Sequence, residues 1–330
     1  MKSQIKTAES VTPSHPDKIC DQISDAILDH CLKDDPKTRA AIEVLGGHGL
    51  ITICGELTTS AHINIRNIAT EVYADLGYKE QIGVTINVVE QSPEISNGVD
   101  AEGAGDQGIM VGYATNDTPE FLPLELILAR KLTKSMGYRD GKAQVTVEDG
   151  KVVQLLTSVC EHCDINDHEL VATVKREIIP HLHSKVNKVE DIWMRNPNGR
   201  WTIGGFAADT GLTGRKLAVD NYGPNIPLGG GCFSGKDATK VDRSAAYMAR
   251  RIAVDYLKSR GAKEVYVHLA YAIGVAKPVM ATVNIDGVQE EVSGYDLRPK
   301  AIIEQLNLRK PQFQETAKHG HFGNGFAWDA

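Results

Sequence analysis

The sequence predicts an α+β protein made of three structurally similar α/β domains with pseudo-threefold symmetry. Three observations lead there. The order helix, hairpin, helix, strand recurs with a period of about 110 residues. Gly- and Asn-rich turn signals separate paired strand-like runs. A chain of 330 residues with 42% apolar content can bury more than one domain's core.

In the first unit, Ile19, Ile23, Ala26 and Ile27 share one face of an amphipathic helix over 17–33, and Pro16 suits its first position. Strands at 40–45 and 50–58 flank the turn Gly46-Gly47-His48-Gly49. A helix over 62–77 presents Ile65, Ile68, Ala69, Val72 and Leu76, and a strand at 82–90 closes the unit. The second unit has a helix at 120–136 and strands at 143–148 and 151–160 around Asp149-Gly150. A helix at 166–180 follows, then strands at 190–195 and 200–205 split by Asn196-Pro197-Asn198-Gly199. The third has a helix at 240–260, strands at 264–275 and 278–285, the turn Asp286-Gly287 and a helix at 297–306. Domains are expected at 1–98, 103–206 and 207–330, with room for strands to exchange between them.

A net charge of −7 argues against a nucleic-acid-binding surface. No apolar run reaches the length of about 18 residues needed to span a membrane. Met1-Lys2-Ser3-Gln4 opens no apolar signal segment. Cys20, Cys31, Cys54, Cys160, Cys163 and Cys232 are scattered, unlike a secreted disulfide scaffold. A reduced, cytoplasmic protein is expected.

Gly103-Ala104-Gly105-Asp106-Gln107-Gly108 fits G-x-G-x-x-G, but loop-like sequence precedes it and Asp106 would face a pyrophosphate, so a dinucleotide site is not expected. Gly230 to Lys236 nearly fits a P-loop, with Asp237 where a magnesium-binding hydroxyl belongs. The stretch 209–243 interleaves Arg215, Lys216, Lys236, Lys240 and Arg243 with Asp209, Asp220, Asp237 and Asp242 on glycine-rich backbone. Such a run can be a solvated face; it also suits a polyphosphate carrying Mg²⁺. In Ser14-His15-Pro16-Asp17-Lys18, a helix N-terminus could receive phosphate, with His15 on an ATP oxygen and Asp17 on magnesium, or Ser14 or His15 could simply cap the helix. Cys160-Glu161-His162-Cys163, with His168, His181 and His183 downstream, could form a zinc or redox site, although the second ligand pair of a structural zinc motif is missing.

Taken together, these segments resemble the S-adenosylmethionine synthetase family. The resemblance is carried by Glu9 to Lys18, Gly55 to Thr59, Gly103 to Gly108, Gly211 to Lys216, Gly229 to Ser244, Tyr271 to Pro278 and Gly320 to Gly323, in family order. It implies the three-domain α+β fold of that family and formation of S-adenosylmethionine from ATP and L-methionine, with the tripolyphosphate hydrolysed to pyrophosphate and phosphate. It also implies two Mg²⁺ ions and one K⁺ per site, and a homodimer with interfacial sites that can pair into a tetramer. His15, Lys142, Arg215, Lys216 and Lys236 are then the catalytic set. Asp140, Arg200, Trp201, Asp209 and Cys232 join them around ATP. Glu56, Gln91, Asp106, Asp209, Lys240 and Ile273 fall on methionine positions, Asp17 and Asp242 on Mg²⁺, and Glu43 on K⁺. Relative to the family, the loop before Gly103 is short, Trp201 replaces a commoner phenylalanine, Cys232 an alanine and Ala238 a proline. Two rival readings remain at this point: an ATP-dependent kinase or ligase, and a nucleotide-binding regulatory protein without activity.

Overall fold

The computed structural model describes residues 3–91, 103–161 and 167–329. Its strands along the chain are β1 (Ile5–Val11), β2 (Arg39–Gly47), β3 (Leu50–Thr58), β4 (Gly83–Val89), β5 (Gly108–Thr115), β6 (Gly141–Glu148), β7 (Lys151–Val159), β8 (Trp193–Arg195), β9 (Gly211–Leu212), β10 (Glu264–Tyr271), β11 (Met280–Ile285) and β12 (Val288–Glu291). Its helices are α1 (Pro16–Asp34), α2 (Ile65–Asp75), α3 (Leu124–Ser135), α4 (His168–Thr173), α5 (Leu217–Asp220), α6 (Val241–Arg260), α7 (Pro299–Gln305) and α8 (Phe313–His319).

The strands form three four-stranded sheets, ordered β9-β2-β3-β4, β1-β6-β7-β8 and β5-β10-β11-β12. In each sheet the outer strand comes from elsewhere in the chain. β1 pairs antiparallel with β6 from Ile5↔Glu148 to Val11↔Lys142, β5 pairs with β10, and β9 pairs with β2. One long helix covers each such junction: α1 over β2 and β9, α3 over β1 and β6, α6 over β5 and β10. The three units therefore interlock.

The tight turns are what the sequence leads one to expect. His48-Gly49, Asp149-Gly150 and Asp286-Gly287 all have positive φ, at 47° and 83°, 49° and 74°, and 50° and 90°, the requirement of a two-residue hairpin turn. The fourth strand breaks the symmetry. β4 and β8 run parallel to their neighbours, because helical crossovers precede them, whereas β12 returns antiparallel through Asp286-Gly287.

Several elements differ from expectation. Residues 200–205 form no strand: Gly205 has φ 62° and gives its N–H to the Asp140 carboxylate instead of to a ladder. The helix expected over 166–180 leaves α geometry after Thr173 and passes through a π turn into a 3₁₀ turn at Pro180, which has no N–H to continue it. Strand 190–195 shrinks to β8, and the strands at 264–275 and 278–285 shrink to β10 and β11. β1, β5, β9 and α8 carry no expectation from periodicity, and their partners lie far along the chain; β12 carries none either, though it pairs with its neighbour β11. The helix at the first unit's start is right in span and wrong in environment. Its apolar face is in the core, but Lys18, Asp21, Asp25 and Asp29 opposite are buried too.

Gly112 marks the closest packing of sheet and helix. A Cβ there would lie 2.0 Å from the Ala249 carbonyl oxygen of α6. Gly112→Ala is expected to push α6 off β5 and lower stability by about 3 kcal/mol, as overpacked cores do, read from the urea midpoint; an unchanged midpoint would contradict that packing.

Candidate active site

The site starts at the N-terminus of α1. Pro16 occupies the first turn, and His15 caps the helix by accepting the Asp17 N–H at Nδ1, 3.1 Å. That bond leaves the ring proton of a neutral imidazole on Nε2. Burial, then the Lys216 and Lys142 charges, bring the His15 pKa down to about 3, so the ring is neutral near pH 7. Ser14 is not the cap; its hydroxyl donates to the Tyr138 carbonyl.

Four aspartates then follow at intervals of one helical turn, and each accepts loop backbone N–H groups. Asp17 takes Leu212, Asp21 takes Gly214, Asp25 takes Gly235, and Asp29 takes Gln312, Phe313 and Gln314. Side chains at i and i+4 lie on one face, so α1 aligns the 211–216 and 229–237 loops against a single ruler. Lys18 balances the stripe, 3.1 Å from Asp21 and 2.5 Å from Asp220. Burial still raises Asp21 to about 6, against the pull of Lys18. Of these, Asp21, Asp25 and Asp29 carry no expectation from the sequence reading, whereas Asp17 does. The signal was there: aspartate at every fourth position of a predicted helix is too regular for an idle solvent face.

One cluster surrounds Asp17. Lys216 Nζ bonds its Oδ2, and Arg215 Nε lies 3.4 Å from Oδ1. Gly211 allows this approach, since a Cβ there would sit 2.1 Å from the Pro16 carbonyl oxygen. Lys142, at the start of β6, is near enough to act on His15. Asp140 just before it accepts the Gly205 N–H at 2.9 Å, and burial lifts its pKa to about 6 with Lys142 opposing and the Asp209 charge reinforcing. Its Oδ1 is buried without a hydrogen-bond partner among the described residues. A cavity of about 450 Å³ opens alongside, lined by Ser158, Asn196 and the run Pro197 to Ile203. Trp201 lines it and donates from its indole to the Ile203 carbonyl, while Arg200 is exposed, 3.6 Å from Glu161.

A second cluster surrounds Asp242 at the start of α6. Lys236 Nζ lies 2.7 Å from Oδ2, and Gly231 N–H donates to Oδ1 at 3.1 Å. A groove of about 630 Å³ passes between Gly229 to Gly231, Asp242 and Gln107 to Ile109. Cys232 joins the clusters: a Cβ on Gly214 would fall 2.4 Å from Cys232 Cβ, and its Sγ is 3.9 Å from Glu43 Oε1. Lys240 is paired with Asp237 at 2.6 Å, and Asp237 exchanges hydrogen bonds with the Ala40 backbone, so this aspartate anchors the loop to β2.

The expected methionine residues are more spread. Glu56 stands opposite Ala41 on the sheet face that carries Glu43. The Gln91 N–H donates to Thr58 Oγ1, and its side-chain Oε1 is buried without a partner among the described residues. Ile273, just past β10, bridges Ala104, and Asp106 follows Ala104 on the approach to β5, its carboxylate accepting the Gln107 N–H at 2.7 Å. Asp209 sits with Asp140 instead, and no described hydrogen bond or ion pair links it to Glu56 or Gln91. Of the possible zinc site, Cys160 is a buried thiol outside any disulfide, and His162 and Cys163 lie outside the described residues. No group of three His, Cys, Asp or Glu side chains that could hold a metal occurs among the described residues. The short loop before Gly103 also lies outside them.

The floor beneath the second cluster holds a buried neutral histidine. His321 is fully buried, Nδ1 bonded to Tyr247 Oη at 2.8 Å, and burial, then Arg243, hold its pKa well below 6.5. A histidine neutral when folded and protonated when unfolded contributes stability above pH 6.5 that is lost as pH falls. Unfolding free energy is therefore expected to drop by about 1.4 kcal/mol per pH unit below 6.5 from this residue. Denaturant titrations between pH 7 and 5 check this, and a His321→Asn protein should lose that part of the slope.

Residues 3–98, 101–201 and 203–330 match the N-terminal, central and C-terminal domain families of S-adenosylmethionine synthetase. The chain is 42% identical to the S-adenosylmethionine synthase of Petrotoga mobilis over all of this chain and 96% of that protein. It is 43% identical to the Sulfurovum enzyme of the same name, covering 98% and 95%, and 42% identical to that of Desulforudis audaxviator, covering 98% and 94%.

Proposed function

The chain belongs to the S-adenosylmethionine synthetase family, and from that premise we propose how its residues carry the reaction. The enzyme forms S-adenosylmethionine by in-line attack of the methionine sulfur on C5′ of ATP, then hydrolyses the tripolyphosphate to pyrophosphate and phosphate.

One observation carries the residue assignment: two aspartate–lysine pairs, Asp17–Lys216 and Asp242–Lys236, stand on glycine-rich backbone joined through Cys232 and Gly214. Each pair is neutral by itself and matches a magnesium polyphosphate when opened, the carboxylate turning to metal and the ammonium to phosphate oxygen. A single carboxylate suits Mg²⁺, which retains waters and takes its other oxygens from phosphate. Asp17 and Asp242 would hold one ion each, and Glu43, beside Cys232 on the sheet face, would hold K⁺. When bound, Mg²⁺ draws off negative charge from the leaving group.

The thioether is a neutral nucleophile, so no general base is needed. Lys216, Arg215 and Lys236 hold triphosphate oxygens, and His15 donates from Nε2 to the oxygen leaving C5′. Trp201 stacks on adenine in the cavity, with Asp140, Lys142 and Arg200 around the nucleoside. Glu56, Gln91, Asp106, Asp209, Lys240 and Ile273 orient methionine, and alignment of sulfur with C5′ lowers the barrier by several kcal/mol, on the order of 7. The open face of the first sheet exposes Leu45, Leu50 and Val89 beside Glu43 and Glu56, which supports a homodimer burying this face around the sites, and pairing of dimers into tetramers. No helix among the described residues is long and apolar enough to cross a membrane, and the described cysteines form no disulfide, which supports a cytoplasmic location.

Purified protein incubated with ATP, methionine, Mg²⁺ and K⁺ should give the sulfonium product by mass together with pyrophosphate and phosphate. Release of ADP without sulfonium would overturn the reading in favour of a kinase.

A further inference from the structure

Asp25 and Arg243 form an ion pair in which both side chains are fully buried, with bonds of 2.7 Å and 2.8 Å in a fork. Removing two charges from water costs more than their attraction usually returns, so the reason for the pair lies in what else it holds. Every donor group of Arg243 is used: Nε on Tyr247 Oη at 3.0 Å, one terminal nitrogen also on the Lys236 carbonyl at 2.9 Å, the other also on Thr316 Oγ1 at 3.2 Å. Asp25 Oδ1 also accepts the Gly235 N–H at 2.8 Å. The pair thus grips both sides of the Gly235–Lys236 peptide region. Gly235 needs that grip, with φ 81° and room for a Cβ only 2.0 Å from the Ile42 carbonyl oxygen. β2 holds the other edge of the loop, through Ile42 N–H to the Gly235 carbonyl and the Asp237–Ala40 bonds. Behind Arg243, Tyr247 passes the constraint to His321 and stacks on Trp328 at 3.9 Å.

We propose that Asp25 and Arg243 are positioning residues that act through Lys236, setting where its ammonium meets the polyphosphate. Neither reaches substrate. The proposal rests on Lys236 as a phosphate ligand, and its test separates the two. Lys236→Ala is measured first: turnover near wild type would sink the phosphate role itself. Given a large loss there, Asp25→Asn in the otherwise native enzyme is expected to lower kcat and the affinity for tripolyphosphate, measured by calorimetry with Mg²⁺ present, by about 10- to 100-fold, as misplacement by roughly 1 Å can. KM for methionine should hardly move. In the Lys236→Ala background the same change should add almost nothing, because the group it positions is gone. Equal losses in both backgrounds, or no loss of tripolyphosphate affinity in the native background, overturn the proposal even if stability falls. Should Asp25→Asn not fold, Tyr247→Phe serves in the same cycle; it keeps the ring and releases Arg243 Nε. A several-fold, Lys236-dependent loss supports the proposal, and an additive or absent effect overturns it.

Discussion

Lys236→Met is expected to lower turnover by about 1000-fold, equivalent to about 4 kcal/mol of transition-state stabilisation. Methionine keeps the apolar stem and removes the ammonium. The folded protein loses only a partly exposed pair with Asp242, with side chains 20% and 14% accessible, a contribution of about 1 kcal/mol or less. The change should therefore appear in kcat and barely in the melting temperature. Steady-state kinetics with a parallel thermal melt decide it: wild-type turnover removes Lys236 from the leaving-group set, and a collapsed melt makes it a structural residue.

Asp17→Asn is expected to cut activity by about 100-fold or more and to raise the Mg²⁺ concentration needed for half-maximal rate. Asparagine keeps an oxygen for the Leu212 N–H, so the loop stays on α1. It removes the charge that balances Lys216 and Arg215 and would ligate metal. A magnesium titration is the check. If the rate falls but the magnesium midpoint stays where it was, Asp17 orders the cations and binds no metal.

Much of the candidate site could be read before the fold was known. Charges alternating on glycine between 209 and 243 single out the loops that gather around Asp17 and Asp242, and Pro16 with His15 and Asp17 marks a helix N-terminus, because these features depend on residue type and local spacing. The turns His48-Gly49, Asp149-Gly150 and Asp286-Gly287 were equally local, since positive φ at both central positions restricts them to a few residue types. The failures have a different character. Residues 200–205 look like a strand, yet Gly205 answers to Asp140, 65 positions away. β1 has no visible partner until β6, and no periodicity in residues 5–11 points to residue 142.

The sequence alone determined the long helices α1, α2, α3 and α6, the hairpin turns, the threefold recurrence and the charged loops, all set by interactions within a few residues of one another. Only the tertiary structure decided that outer strands cross between units, that the polar face of α1 is buried, and that its aspartates hold both glycine-rich loops. Those outcomes depend on backbone N–H groups from distant segments finding acceptors once water is excluded, and no local pattern specifies which segment will arrive.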